Sequence, residues 1–307
     1  MIDGPIVITG AGGFVCSAVA RACAEAGYDV VAVDRSFDGP PTHRRIRQVQ
    51  SDMGPALDLR AMGTPSAVVH GAAITAEPGT LGLTAAEHLQ RNLGIHLACL
   101  TWARDHGADR FLFLSSMGVF APSDGAGLDK VTENVPAHGR GAYQAAKQAG
   151  EIVTGAASEA GFATLSLRLG NIFGPAERER TSRPWMSLVG RMIREARTTG
   201  AVHAGTGDNL REWEWLPDLA DGIADLLPTL PDLDGGVLHA GTPPVLSDRA
   251  LADVIAAGVD GATVSGEVRG DAPRTPMATG RASVFDRIDW LPIEEGVARL
   301  LRDEVPA

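Results

Sequence analysis

The stretch VITGAGGFVCSAVARACAEAG, residues 7–27, decides the fold. Before the glycines stands a short apolar run, residues 6–9, of the kind that a strand buried on both faces requires. After them, apolar residues recur at helical spacing until Gly27, and a second apolar run, YDVVAVD, ends at Asp34. The order strand, glycine turn, helix, strand predicts one βαβ unit.

The glycines of this unit predict a site for a dinucleotide. Gly10 and Gly13 let the backbone turn tightly and approach a diphosphate, whose charge then lies at the positive end of the helix. Cys16 stands where a third glycine would let the helix pack on the strand, and its side chain is small. We therefore expect Cys16 to be a buried packing residue, with a thiol activated by the helix terminus as the alternative.

Composition excludes several classes of protein. The formal charge of −11 argues against a surface for nucleic acid or anionic membrane. Apolar runs are shorter than a membrane span, and the amino terminus enters a strand at once, so neither a membrane segment nor a signal peptide is expected. Three cysteines without paired spacing indicate reduced thiols, and a cytoplasmic protein fits. The histidines form no metal-binding pattern, so no metal is expected.

Strands and helices alternate along the chain, which predicts an α/β fold with a Rossmann-type doubly wound parallel sheet. Further buried strands are expected at 67–73, 110–116, 163–169 and 236–241, and helices at 84–106, 142–160, 217–227 and 247–257. We predict a NAD-binding domain over 1–174, completed by 216–241, and a small C-terminal substrate-binding lobe from 175–215 and 242–307. The charged segment after Gly174 suits either a substrate lid or a solvated loop.

A catalytic group is predicted beside the dinucleotide. Tyr143 and Lys147 stand four residues apart on one face of a predicted helix, and Ser116 ends a predicted strand, at the sheet edge where ligands bind. A nearby ammonium, helped by an oxidised nicotinamide, favours the phenolate, so Tyr143 is expected to act as a base near neutral pH. Ser116 is expected to hydrogen-bond the substrate oxygen as it becomes a carbonyl.

These segments carry a resemblance to a known family. In order, the chain contains TGAGGFV, VVAVD, VVHGAA, RFLFLSS, YQAAK, LRLGNIFGP, LPDLADGI and WLPIEEGV. It thereby resembles, over nearly its whole length, the extended short-chain dehydrogenase/reductase superfamily, in the branch of NAD-dependent epimerases and dehydratases. The resemblance implies catalytic residues at Ser116, chosen over Ser115, and at Tyr143 and Lys147. It implies NAD as cofactor, bound by Gly10, Gly13, Phe14, Val15, Asp34, Arg35, Asp52, Met53, Ala72, Ala73, Asn92, Tyr143 and Lys147.

The resemblance also implies a small, anionic, sugar-like substrate, contacted by Ser116, Asn171, Arg211 and Arg274. Guanidinium groups bind phosphate or carboxylate in pairs of hydrogen bonds, so the arginines indicate an anion without identifying it. Within REWEW, the period of two puts Trp213 and Trp215 on one strand face, where they are expected in the core.

Several functions stay open at this point. Met117 and Gly118 stand where dehydratases of the family carry an Asp-Glu pair, which argues against dehydration. The arginines favour a nucleotide-sugar epimerase, whereas SSMGVFAP is more similar to sugar-acid and threonine dehydrogenases, so a net dehydrogenase or reductase of a sugar acid, polyol or hydroxy acid is the alternative. A non-catalytic NAD-binding regulatory protein is a further alternative.

Asp34 favours NAD over NADP, although Arg35 could accept a 2′-phosphate. The family suggests a homodimer through helices near 90–105 and 143–158.

Overall fold

The computed structural model describes residues 2–39, 41–52, 63–180, 183, 185–204, 209–233, 235–266 and 274–302. Its strands, β1 to β12 in chain order, are Ile6–Thr9, Val30–Asp34, Ile46–Gln50, Ala67–His70, Arg110–Ser116, Ala163–Leu169, Asn171–Phe173, Ala201–His203, Leu210–Trp215, Val237–His239, Val245–Ser247 and Thr263–Ser265. Its helices, α1 to α7, are Phe14–Glu25, Ala85–Asp105, Ala142–Ala156, Leu188–Thr199, Leu216–Thr229, Asp248–Ala257 and Ile293–Arg302.

The described part of the chain forms a large parallel sheet of seven strands in the order β10-β6-β5-β4-β1-β2-β3. The four side chains of β1 are all buried, as a central strand covered on both faces requires. α1 packs its buried face, which includes Cys16, Val19 and Cys23, against α5 on one side of the sheet. The predicted Rossmann-type α/β fold is confirmed.

The predicted segments 142–160 and 67–73 both end earlier than the sequence pattern suggests. The helix predicted over 142–160 ends at Ala156, because Glu159 and Phe162 form an antiparallel bridge around Gly161, whose φ is 85°. The strand predicted over 67–73 ends at His70, and the chain then turns at Gly71, whose amide donates to the Thr9 carbonyl. Residues 71–73 are thereby brought beside the glycine turn.

A second group of elements packs around its own core at the carboxyl edge of the large sheet. The strands β11, β9 and β7 form a three-stranded sheet, and β12 pairs with β8. The core there includes Phe173, Trp213 and Trp215, and the two tryptophans are 1% and 4% exposed. Both tryptophans are therefore core residues, as expected. The boundaries proposed between the two lobes stay a prediction.

Among the described residues, no helix combines the length and the apolar content that a membrane span needs.

Candidate active site

The glycine turn between β1 and α1 is shaped for a phosphate. Gly10 has a φ of 75°, and a Cβ there would lie 2.8 Å from the Ala72 nitrogen. The Gly13 amide donates to the Gly10 carbonyl at 2.8 Å, and Gly13 begins α1 with no side-chain cap and no acidic residue in the first turn. The N–H groups at the amino end of α1 are therefore available to an anion, and the turn fits the diphosphate of a dinucleotide. Phe14 and Val15 follow as the first helical residues.

Asp34, at the end of β2, is tied to this turn. Its Oδ2 accepts the Gly12 amide at 2.9 Å and its Oδ1 accepts the Ser36 amide at 3.2 Å. These bonds fix the carboxylate at the place where a ribose would lie in this fold. Arg35 and Asp52 are exposed, and Met53 lies outside the described residues.

Cys16 lies beneath the turn and is 4% exposed. Its Sγ lies against Gly71, where an added Cβ would come within 2.2 Å of the sulfur. Burial, and then the nearby negative charge of Asp34, raise the pKa of this thiol to about 12. The protonated thiol occupies a packing position, as we expected, and it is not an activated nucleophile.

The three predicted catalytic residues lie together at the carboxyl end of β5. The Ser116 Oγ accepts the Gly118 amide at 3.0 Å, and Ser116 lies near enough to Tyr143 to act on the pKa of its phenol. Lys147 lies one turn further along α3; its Nζ donates to the Leu114 carbonyl at 2.6 Å and is 5.7 Å from the centre of the Tyr143 ring. Ser115 points elsewhere, because its Oγ donates to the buried Glu151 carboxylate at 2.6 Å.

Burial dominates the electrostatics of this group. Burial raises the pKa of Tyr143 to about 12, although the hydrogen bond from Ser116 and the charge of Arg183 act in the opposite direction. Burial also lowers the pKa of Lys147 to about 8. The protein alone therefore keeps the phenol protonated at neutral pH, since desolvation outweighs the nearby charges.

The loop after β4 forms the wall beside Tyr143. Ala72 and Ala73 line a small cavity together with Tyr143 and Lys147. Asn92, from α2, fixes this loop: its Oδ1 accepts the Ile74 amide at 2.8 Å and its Nδ2 donates to the Ile74 carbonyl at 3.2 Å. The asparagine therefore positions the wall through the backbone.

Sequence reasoning missed two buried histidines behind the same cavity. His70 bonds Thr9 through Nδ1 at 2.8 Å, and His96 bonds Thr154 through Nε2 at 3.0 Å. Burial lowers the pKa of both, that of His96 to about 3, so both rings are neutral. The sequence did offer one signal for His70, because the predicted strand VVHGAA carries this histidine near its end.

The predicted substrate residues converge on a buried carboxylate that sequence reasoning did not assign to the site. Asn171 Nδ2 donates to Glu212 Oε1 at 3.1 Å, and the Met277 amide donates to Glu212 Oε2 at 3.0 Å. Arg274 contacts the Met117 sulfur at 3.4 Å through Nη1, next to Ser116. Burial, and then the charge of Arg211, lower the pKa of the Arg274 guanidinium, so the two positive charges act on each other.

Arg211 is already held by an acid. Its Nε and Nη2 donate to the two oxygens of Asp248 at 2.6 and 3.0 Å. The Asp248 side chain is 2% exposed and that of Arg211 is 21% exposed. A substrate anion would therefore share this guanidinium with Asp248.

A second buried carboxylate, Glu214, lies beside Glu212. Its Oε1 accepts the Gly170 amide at 2.7 Å, and within the described structure its Oε2 has no hydrogen-bond partner. Burial and the neighbouring Glu212 raise the pKa of Glu214 well above its usual value, and burial raises that of Glu212 to about 7. The alternation in REWEW placed both acids on one strand face but could not show that this face is buried.

Within the ranges that the structure describes, no group of three or more histidine, cysteine or acidic side chains could hold a metal ion.

Comparisons with known proteins agree with this geometry. The family model for the NAD dependent epimerase/dehydratase family matches residues 6–237. A curated 2-alkyl-3-oxoalkanoate reductase from Stenotrophomonas maltophilia is 29% identical over 225 residues, which are 70% of this chain and 62% of that protein. The chain thus matches about three fifths of the length of that relative.

Solved structures share the fold over almost the full length. A NAD-dependent NDP-hexosamine 5,6-dehydratase involved in tunicamycin biosynthesis superposes with a TM-score of 0.79 at 22% identity, covering 97% of each chain. A UDP-N-acetylglucosamine 4-epimerase from Methanobrevibacter ruminantium superposes with a TM-score of 0.77 at 21% identity, covering 98% of each chain. At these identities the likeness establishes the fold.

Proposed function

This chain belongs to the NAD-dependent epimerase/dehydratase family, and from that premise we propose that it transfers a hydride reversibly between NAD and a secondary alcohol of an anionic, sugar-like substrate. The observation that carries the proposal is the group Ser116, Tyr143 and Lys147 at the sheet edge beside a glycine turn fit for a diphosphate. Bound NAD supplies the hydride acceptor and donor, and its oxidised ring adds a positive charge near the phenol.

The chain's own residues move the proton and hold the substrate oxygen. Tyr143 accepts the hydroxyl proton as the alcohol becomes a carbonyl, and returns it in the reverse direction. Ser116, next to the phenol, positions the same oxygen. Lys147 is fixed by the Leu114 carbonyl, so its charge stays near the phenol when the cofactor adds its own.

We propose a nucleotide sugar as the substrate and epimerisation as the net reaction. Arg274 contacts Met117 next to Ser116, and the charge of Arg211 acts on it. Two guanidinium groups whose charges act on each other suit a diphosphate. A substrate anchored by its diphosphate can turn its keto-sugar without leaving, so the hydride can return to the opposite face. The nucleotide-sugar epimerase among the solved structures has the same fold.

A net reductase is the second candidate, and the curated 2-alkyl-3-oxoalkanoate reductase favours it. The contacts of the proposed substrate residues also favour a reductase, because Asp248 already binds Arg211 and Glu212 already binds Asn171. Dehydration has less support, because neither Met117 nor Gly118 offers a proton-transferring group after Ser116.

A substrate panel separates the candidates. We expect nucleotide sugars to be interconverted as epimer pairs without accumulation of reduced nicotinamide in solution. If added NAD is instead reduced stoichiometrically by a sugar acid, polyol or hydroxy acid while no nucleotide sugar reacts, the reductase candidate replaces the epimerase. Absence of any turnover with NAD bound would favour a regulatory NAD-binding protein. Denaturing the purified protein and identifying the released dinucleotide tests NAD against NADP, which Asp34 and Arg35 influence in opposite directions.

We also propose a homodimer through α2 and α3. These helices pack together and expose Leu97 (41%) and Ile152 (72%). Ile152→Glu should shift the mass in solution from dimer to monomer, whereas Leu128→Glu, at an exposed leucine outside both helices, should not. Cytoplasmic location stays a prediction from the sequence.

A further inference from the structure

A short basic segment after β7 crosses to the glycine turn. Arg180 and Arg183 are joined by a pair of backbone hydrogen bonds, each 2.9 Å long, which hold the two residues side by side. At one end, Arg180 Nη2 donates to the Asp38 carbonyl at 2.9 Å and Arg178 Nη2 donates to the Gly39 carbonyl at 3.1 Å, both in the loop that follows β2. The segment is thereby attached to the Rossmann sheet across the cofactor groove.

Arg183 lies at the other end, between the glycine turn and the phenol. Its guanidinium carbon is 5.4 Å from the centre of the Phe14 ring, and Phe14 is the first residue of α1. Its positive charge acts on Tyr143 and opposes part of the rise that burial causes in the pKa of the phenol. These two contacts place Arg183 over the stretch where the second phosphate of a dinucleotide leads to the nicotinamide ribose.

The position of Arg183 is fixed from behind. Its Nη2 forms an ion pair with Glu177 Oε1 at 2.9 Å, and the Glu177 side chain is 4% exposed. Glu177 in turn accepts the amide and the hydroxyl of Ser187, which caps α4. A guanidinium has five N–H donors, so an arginine held through one nitrogen can still offer others to a phosphate.

We propose that Arg183 is a phosphate ligand of the dinucleotide, supplied from the segment after β7 and placed opposite the amino end of α1. The amino end of α1 and the Arg183 guanidinium would then bind the diphosphate from two sides. A dinucleotide held from both sides dissociates slowly, which suits an enzyme that returns the hydride within each turnover. The inference depends on NAD binding alone and not on which substrate is converted.

The test measures affinity for three nucleotides on nucleotide-free protein. Arg183→Gln should raise the dissociation constants of NAD and of ADP by about 10- to 100-fold, the range for losing a hydrogen bond to a charged group. The dissociation constant of AMP should change little, because AMP lacks the second phosphate. Arg183→Lys should give an intermediate loss, and Arg299→Gln, which removes an exposed arginine paired with Glu295 on α7, should have no effect.

Each other outcome contradicts the proposal. Unchanged affinity for NAD and ADP shows that Arg183 does not bind the diphosphate. An equal loss for AMP, or a lowered midpoint of thermal unfolding, shows that the substitution disturbs the groove as a whole. A loss confined to UDP or a nucleotide sugar, with NAD unaffected, assigns Arg183 to the substrate.

Limited proteolysis gives a second readout that does not require turnover. NAD should slow tryptic cleavage after Arg178 and Arg180 in the unaltered protein, and this protection should be lost in Arg183→Gln. Cleavage after Lys130, an exposed residue far along the chain from Arg178 and Arg180, serves as the internal control. Equal protection by NAD in both proteins would contradict the role of Arg183 in binding the dinucleotide.

Discussion

The proposed cofactor end and the proposed substrate end of the site use different parts of the chain. At the cofactor end, the turn relies on backbone groups, such as the Gly13 amide that donates to Gly10 and the Gly12 amide that donates to Asp34. At the substrate end, side chains bond groups from distant segments, as Glu212 bonds Asn171 and the Met277 amide. Backbone sites depend on local conformation, whereas side-chain networks depend on partners that only the fold brings together. The cofactor end should thus tolerate changes of side chain better, except where a side chain performs the chemistry.

The largest effect is expected at Tyr143, where a side chain performs the chemistry. Tyr143→Phe should lower kcat by about 10³-fold, within the range for loss of a general base. Affinity for NAD should stay unchanged, because the backbone turn is untouched. Steady-state kinetics and a NAD titration provide the two readouts, and turnover close to normal would refute the role of the phenol.

At the substrate end, Arg211→Gln should reduce stability more than it reduces NAD binding. Asp248 would lose its bidentate partner while only 2% of its side chain is exposed, and breaking such a pair costs about 3–5 kcal/mol. Urea unfolding measures this cost. The matched double variant Arg211→Gln with Asp248→Asn should recover most of the stability.

The double variant also isolates the role of Arg211 in binding. If Arg211 contacts the substrate diphosphate, the stable double variant should still bind UDP more weakly than the unaltered protein. Equal affinity for UDP would show that Arg211 serves only the fold.

The pair Glu212 and Glu214 should make stability depend on pH. Their pKa values are raised in the folded chain, so the stability that the protonated forms contribute is complete below the usual glutamate pKa and is lost as pH rises through the folded values. For Glu212 the shift from 4.5 to about 7 corresponds to roughly 3 kcal/mol. Glu214→Gln should keep the bond from the Gly170 amide and should be more stable than the unaltered protein at pH 9 but not at pH 5.

Unfolding midpoints at pH 5, 7 and 9 measure this difference. Glu295→Gln, at an exposed acid on α7, should leave the dependence of the unfolding midpoint on pH unchanged. Parallel profiles for Glu214→Gln and the unaltered protein would mean that Glu214 is ionised in the folded state.

The smallest effect is expected beneath the glycine turn. Cys16→Ala should keep activity, whereas Cys16→Leu should cost about 1–3 kcal/mol and weaken NAD binding, because Gly71 leaves no room for a larger side chain. Thermal unfolding and NAD titration of both variants test this. An inactive Cys16→Ala that still binds NAD would assign a chemical role to the thiol.

The sequence predicted the parts of the molecule that depend on local pattern. The glycine turn, the alternation of strands and helices, and the spacing of Tyr143 and Lys147 follow from residues close in the chain. The raised pKa of Tyr143 could not be predicted, because it depends on how deeply the tertiary structure buries the phenol. Nor could the partners of Arg211 and Glu212, since Asp248 and Met277 are 37 and 65 residues away from them.

The place of Cys16 has a practical consequence for observing the protein in solution. The cysteines are all buried, and this one lies directly beneath the phosphate-binding turn. A thiol reagent can reach Cys16 only when the turn opens. The rate at which Cys16 is labelled therefore reports how often the turn opens, without an added probe. Slower labelling with saturating NAD would report how firmly the dinucleotide holds the turn closed, and Cys99, buried against the opposite face of the sheet, would report the opening of the rest of the domain.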